Sequence, residues 1–495
     1  MKIAKALIVI VPILIAALLM NSCHKEQFAK SGALSFSTDT LTFDTVFTTL
    51  GSTTRYFKVR NTQSKSLLVS DIKLLQLQGN QFRINVDGVA GTEFTNVDIP
   101  AHDSIYVFVE VTVNPNNQNN PFVILDQIQF TTNGNTQNVV LEAMGQNAHY
   151  YFSDSATMTS PVTFYNDKPN IIVNRNGGLP IFAVKPGATL TIQPKAQIFM
   201  GPNAVITVDG TLNAHGGDWS DSIVFQYIRR DYQNAPGQWL GITYSRGATI
   251  NMDHVIVDQS TFGVSDEYVL DLLASAQITT SDLRNYSSSA TPTVTLDKCI
   301  IRNCSSNALT AIQTNLTATN CLIHSSGGQM VVLGMGGTYT MNNCTMVDAS
   351  QFNPYINHQN PSLTLTDRLS YLNTNTPVGP YTTTVSISNS TVVGSQDNEI
   401  AFTPAPSMLA AHFSYCNLSM NQDTFSLLQP LPDSCVFNSN LNQLFYNPQY
   451  GDFRPDSLTS PLYNKGNPAT QRPDDLYDYT RGTRHSVGAI EWQGN

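Results

Sequence analysis

A short signature returns four times along this chain at near-constant spacing, and that periodicity limits the fold more than any other feature. The copies are Asp297-Lys298-Cys299-Ile300-Ile301, Thr319-Asn320-Cys321-Leu322-Ile323, Asn342-Asn343-Cys344-Thr345-Met346 and Ser388-Asn389-Ser390-Thr391-Val392. They stand 22, 23 and 46 residues apart (299 to 321, 321 to 344, 344 to 390), the last being a double step. Such a period marks a solenoid, in which each unit buries its apolar face against its neighbours. Units of this length are too short for a helix pair and are rich in β-branched residues, so the rungs are strands.

Stacked in register, Cys299, Cys321 and Cys344 form an inward column with a step of about 4.8 Å. Cys304, Cys416 and Cys435 complete the six cysteines that follow Cys23. Parallel side chains in one column point the same way, a poor start for a disulfide, so these are expected to be free buried thiols. No CxxC pair is present, which argues against zinc held by these sulfurs.

The N-terminus reads as a targeting segment. Lys2 and Lys5 form a basic start, Ala6 to Met20 is apolar, and Ser22 precedes Cys23. The apolar run is short for a bilayer of about 30 Å and fits a cleaved signal. The Leu19-Met20-Asn21-Ser22-Cys23 junction resembles a bacterial lipoprotein box. That resemblance implies a lipid on Cys23 and, since His24 rather than Asp follows, an outer-membrane location facing either the periplasm or the outside. The alternative is ordinary cleavage, with Cys23 a spare thiol. The formal charge is −10, with only 13% of residues charged. A negative field of this kind repels nucleic acid.

Residues 34–148 alternate apolar and polar with turn residues between, as in Ile105-Tyr106-Val107-Phe108-Val109 and Asn133-Gly134-Asn135. About seven such strands suggest an immunoglobulin-like β-sandwich. Solenoid strands begin near residue 149, for example Ala188-Thr189-Leu190-Thr191-Ile192. Trp239-Leu240-Gly241-Ile242, Asp253-His254-Val255-Ile256-Val257 and Phe262-Gly263-Val264 follow. These phrases resemble right-handed parallel β-helix proteins of the pectin-lyase-like kind, particularly lipoproteins of Bacteroidetes-type bacteria. The resemblance implies an architecture and no particular reaction. The tail Asp452-Phe453-Arg454 through Ser460-Pro461 to Val487-Gly488-Ala489-Ile490-Glu491 resembles the segment that follows many bacterial β-helices. The expected order is therefore a signal (1–22), a tether (23–33), the sandwich (34–148), the β-helix (149–445) and a C-terminal cap (446–495). Stretches 265–292 and 352–381 interrupt the rungs as loops, the second with room for an irregular coil at Leu363-Thr364-Leu365. Insertions in solenoids gather on one face, often the binding face.

Aligning rungs on His254, Cys299, Cys321, Cys344 and Ser390 puts Val257, Arg302, His324, Val347 and Val393 in one column. Asp258, Asn303, Ser325, Asp348 and Gly394 fall in the next. Arg302 and His324 then sit on adjacent coils with Asp258 and Asp348 nearby. β-Helix lyases use a basic residue for proton abstraction, and glycoside hydrolases use paired carboxylates. The plainer reading is a solvated Arg and His on an outer face. His254 reads as a buried or turn histidine rather than a metal ligand. Asp474, Asp475 and Asp478 are hard oxygen donors close in sequence that could wrap calcium, without EF-hand spacing; otherwise no cofactor is implied. Trp239, Tyr227, Tyr232 and Tyr244 could stack on sugars or simply pack. No GxSxG, Walker loop, HExxH or dinucleotide fingerprint appears.

Together these features favour a lipid-anchored, non-catalytic surface module that binds polysaccharide or an envelope protein. A polysaccharide lyase or glycoside hydrolase working in a groove along the coils is the alternative, and a purely structural envelope protein is a third class.

Overall fold

The computed structural model describes residues 28–152, 156–174, 179–232, 234–267, 290–368, 380–402, 407–421, 430–483 and 485–492. The signal segment and Cys23 lie outside the described residues. So do 268–289 of the first interrupting stretch and 369–379 of the second. The chain divides into two compact units, one ending at Ala148 and one beginning at His149.

The first unit is a β-sandwich of two five-stranded sheets. Strict period-two burial in Ser104–Val111 sends Ile105, Val107, Val109 and Val111 inward, and Phe122–Thr132 behaves likewise. The inward residues of both sheets form one core with Phe57, Phe82 and Phe130 at its centre. Most pairings are antiparallel, but Thr40–Phe47 runs parallel to Asn135–Gln146.

The second unit is a parallel β-helix. Among the described residues each coil before the last contributes a strand to each of three faces. The first face is a ten-stranded parallel sheet running from His149–Phe152 to Asn417–Leu418. The second and third faces merge in one sheet, because Leu309–Thr319 and Val331–Asn342 are long enough to turn the corner between them. Register is held for many coils. Phe182, Ile206, Ile242, Val264, Leu309, Val331, Leu363 and Ile400 form one inward column on the second face. Leu363–Thr366 pairs with Val331–Asn342 on one side and Ile400–Phe402 on the other, as the ordinary second-face strand of its coil. Thr345–Val347 pairs directly with Thr391–Val393, so the double step between Cys344 and Ser390 is one coil lengthened by insertions and not two, which corrects the expectation of an additional coil there. Such columns remove apolar surface from water at about 25 cal/mol per Å², and every rung supplies partners to the next.

The repeated signature marks the corner between the third and first faces. The residue before each Cys of the signature, and before Ser390, has positive φ: 49° at Lys298, 49° at Asn320, 53° at Asn343 and 49° at Asn389. His254, Tyr415 and Ser434 continue the column at 51°, 53° and 53°. Asn tolerates the left-handed region better than most side chains, which explains its recurrence. The inward thiols of Cys299, Cys321 and Cys344 then reach carbonyl oxygens two residues back, at 3.3, 3.2 and 3.5 Å. Ser390 makes the same contact at 2.7 Å, which is why a hydroxyl substitutes for a thiol in this column. All six described cysteines are free.

The C-terminal cap covers a flank of the solenoid. Ile300, Leu322, Val347 and Val393 lie on the outer side of the first face, where they would meet water. Phe453, Leu462, Leu476, Val487, Ala489 and Ile490 bury them in a second core. The cap also reads the left-handed corner, rung by rung and in reverse order. Asn467 N–H donates to Asn389 Oδ1 (2.7 Å) and Arg472 N–H to Asn343 Oδ1 (3.1 Å). Asn320 Nδ2 donates to the Asp474 carbonyl (3.2 Å), Lys298 pairs with Asp474 (2.6 Å) and with Asp478, and His254 meets Asp478 (3.0 Å). Arg481 is buried at the centre. It donates to the carbonyls of Gly488 (2.9 Å) and Ala489 (3.0 Å) and to Asn320 Oδ1 (3.1 Å), and lies 3.3 Å from Glu491. A buried charge satisfied this fully holds the cap in one register.

Candidate functional site

At the end of the first-face strands a second set of residues turns left-handed: Gln259 (φ 65°), Asn303 (51°) and Ser325 (58°). The side chains just before them, Asp258, Arg302 and His324, form one column through the pairings Asp258↔Arg302↔His324. Anchoring the sequence frame on His254 is therefore one residue out. Val255, not His254, stacks on Cys299, because Ile256 pairs with Ile300. The slip matters chemically, since it moves Asp258 directly beside Arg302.

Arg302 and Asp258 form an ion pair, with Nη2 and Nε at 2.8 and 2.9 Å from Oδ2. Asn303 Nδ2 donates to the other carboxylate oxygen at 2.8 Å. The amide relay continues outward, because Asn353 Nδ2 donates to Asn303 Oδ1 (3.2 Å) and to the Asn234 carbonyl (3.1 Å). Asn353 Oδ1 also accepts from Tyr355 N–H at 3.0 Å. The loop after Thr345–Val347 is thereby tied to the coil ends.

His324 sits at the base of this surface, its Nδ1 2.9 Å from Ser325 Oγ and its ring 5.0 Å from Phe453. Burial, reinforced by the Arg302 charge, brings its pKa down to about 3. It is neutral at ordinary pH and a weak base. Asp348 does not join this group. It is fully buried and turns to Ser350 N–H (2.8 Å) and Ser395 Oγ (2.6 Å).

Arg302, Asn303, His324, Ser325 and Asn353 line a cleft of about 310 Å³ between the first-face corner, the 349–355 loop and the segment 448–453. Its rim is aromatic and amide-rich, with Phe352, Tyr355 and Tyr450 alongside Asn234, Asn303, Asn353 and Gln449. Tyr355 and Tyr450 are 66% and 80% exposed. Among the described lining residues there is no Asp or Glu; the neighbouring Asp258 is held by Arg302 and Asn303. A pair of carboxylates flanking a substrate, which glycoside hydrolysis needs, does not form there.

Other sequence candidates fall elsewhere. Trp239 and Tyr244 are wholly buried packing residues, Trp239 donating to the Asp258 carbonyl at 2.8 Å. Asp474 and Asp478 are partnered by Lys298 and His254. Asp475 accepts from the backbone N–H groups of Tyr477 and Tyr479, at 2.8 and 2.9 Å. His254 is the turn residue its position suggested. Sequence reasoning missed Tyr355 and Tyr450. Asn-Pro-Tyr and Pro-Gln-Tyr-Gly are turn phrases carrying an aromatic at the tip, and that was the available signal.

No family model matches the sequence, and no curated protein matches it. Among solved structures, the chain is similar to the catalytic unit of a thermostable GH87 alpha-1,3-glucanase from Streptomyces thermodiastaticus. The identity is 9% over 78% of this chain and 89% of that chain, with a TM-score of 0.21. PapD-like domain 7 of human CEP192 aligns over 25% of this chain and 91% of that chain, at 10% identity and a TM-score of 0.16. A family 123 glycoside hydrolase from Clostridium perfringens aligns over 24% of this chain at 8% identity and a TM-score of 0.17, and the chain spans 30% of that enzyme's length. Likenesses with scores this low carry no argument about function.

The lowered pKa of His324 gives a pH test. An unfolded His takes up a proton near pH 6.5, whereas folded His324 does so only near 3. Between these values the unfolded chain binds the extra proton, so this residue makes stability fall as pH drops. Urea unfolding at pH 7 and pH 4.5 is expected to show a smaller acid loss in His324→Asn than in the parent. An equal loss in the two proteins would show that His324 titrates normally.

Proposed function

We propose that this protein is a glycan-binding lipoprotein of a bacterial outer membrane, resembling in plan the β-helix lipoproteins of Bacteroidetes-type bacteria. A lipid on Cys23 would tether it, the sandwich (immunoglobulin-like in this reading) would act as spacer, and the β-helix cleft would take the sugar.

The observation that carries the reading is the pair of exposed rings, Tyr355 and Tyr450, on the rim of a cleft whose polar lining is four amides, one arginine, His324 and Ser325. An aromatic face covers the apolar C–H side of a sugar ring, while amides and guanidinium meet its hydroxyls; a shallow site with both is suited to carbohydrate. The Arg302 charge is matched by Asp258 and the chain is acidic overall, so neutral oligosaccharides are favoured over polyanions. Binding without turnover is favoured because His324 is a weak base and the lining brings no carboxylate pair.

Titration calorimetry against a panel of neutral and acidic oligosaccharides tests the cleft. A neutral ligand is expected to bind, with Tyr355→Ala and Tyr450→Ala each weakening it about tenfold, or about 1.4 kcal/mol. Absence of binding across the panel, or release of cleaved sugar, would overturn the reading. The anchor is tested separately by metabolic labelling with a fatty-acid analogue. Label is expected on the parent and not on Cys23→Ser, and an unlabelled parent would remove the lipoprotein claim.

A further inference from the structure

Behind the loop that carries Tyr355 lies a cluster that the cleft does not use. Asp348 follows the rung strand Thr345–Val347, Glu399 precedes Ile400–Phe402 on another face, and His358 comes from the insertion between them. One ligand atom from each lies within 4.8 Å of the others. The side chains of His358 and Glu399 are 0% exposed, and Asp348 is equally buried.

Hydrogen bonds from outside the cluster orient each group. His358 Nδ1 lies 3.0 Å from the Ser326 carbonyl, so Nδ1–H is the donor and the lone pair of Nε2 faces the cluster. Nε2 is buried without a hydrogen-bond partner, 3.5 Å from Glu399 Oε2 and outside bonding geometry. Glu399 Oε2 accepts from Ser362 N–H and Ser362 Oγ, both at 2.8 Å, and Oε1 accepts from Gln396 N–H at 2.8 Å. Asp348 accepts from Ser350 N–H (2.8 Å), Ser395 Oγ (2.6 Å) and Ser395 N–H (3.3 Å). Gly394 packs against the pair, and a Cβ there would run into Glu399 Oε1 and lie 2.8 Å from Asp348 Cβ.

The charges do not balance as they stand. Two carboxyl groups are buried together, and among the described residues no Lys or Arg pairs with either, so in their ionised form they bring two negative charges. A protonated His358 would leave one negative charge over. A divalent ion with neutral His358 leaves none, and burying uncompensated charge is costly.

We propose that Asp348, His358 and Glu399 bind a divalent transition-metal ion, for which zinc is the first choice. Calcium and magnesium take oxygen ligands, whereas one imidazole with two carboxylates suits zinc. Donors at about 2.1 Å around a tetrahedral zinc stand about 3.4 Å apart, close to the separation of His358 Nε2 and Glu399 Oε2. The ion would pin the 349–362 insertion to the two flanking rungs, a structural role independent of any sugar.

The test uses the full chain, stripped with EDTA and titrated with zinc chloride in the absence of glycan. About one equivalent is expected to bind and to raise the thermal midpoint. His358→Ala and the near-isosteric Glu399→Gln should each weaken binding at least about tenfold, while exposed His412→Ala should not. If His358→Ala fails to fold by far-UV circular dichroism, Glu399→Gln and Asp348→Asn supply the reading. No zinc uptake by the parent, or equal uptake by the variants, overturns the proposal and leaves the glycan reading standing.

Discussion

Everything in the second unit depends on successive coils lying in register, and register is enforced at a corner where L-amino acids are reluctant to go. A single left-handed residue costs roughly 1–2 kcal/mol without compensation, yet His254, Lys298, Asn320, Asn343, Asn389, Tyr415 and Ser434 all adopt it. The strand ladders on both sides of the corner hold it there, since any other conformation would break pairing with the coils above and below. A shift by one residue would turn Ile301 and Ile323 outward and bring Ile300 and Leu322 into the core, with Arg302 and His324 following the wrong parity.

Two consequences follow from that corner. Its side chains project in a row on the outside of the coil, and the C-terminal segment uses the row as a docking rail, with Arg481 fixing the register. The opposite end of the same short strands makes a second left-handed row at Gln259, Asn303 and Ser325. There the insertion after Val347 and the hairpin of Phe445–Asn447 with Asp452–Pro455 close over the surface and create the cleft. The cleft and the cap's docking row are thus built on opposite edges of one face, with the first residues of the cap, 448–453, reaching across to line the cleft.

Much of this was legible in the sequence. The 22- and 23-residue steps fixed the coil length, and the Cys column marked the inward position because a small donor is needed to meet the corner carbonyls. The double step misled: it suggested an additional coil, whereas the strands on either side of it pair directly and the surplus residues are insertions within one coil. The Arg302–His324 adjacency and the nearness of Asp258 followed from the repeat, but the direct stacking of Asp258 on Arg302 did not. His254 resembles a column residue and hides a one-residue frame difference that only strand pairing reveals. Asp348 shared a column with Asn303 and Ser325, yet its carboxylate belongs with His358 and Glu399, 10 and 51 residues further on (348 to 358, 348 to 399). Nothing in local pattern announces that convergence, since it depends on how an irregular insertion folds back. The cap's lateral path was equally hidden, because the apolar outer residues Ile300 and Leu322 read as ordinary strand positions until a cover is placed on them.

The most direct measurement of the corner's conformation is the stability difference between Asn343→Gly and Asn343→Ala in urea. Both variants lose the Asn343 contact with Arg472, so the comparison isolates the backbone. With φ of 53° at this position, Gly is expected to be the more stable by about 1 kcal/mol or more. Ala matching or exceeding Gly, as it does at ordinary right-handed positions, would contradict the stacked-corner architecture.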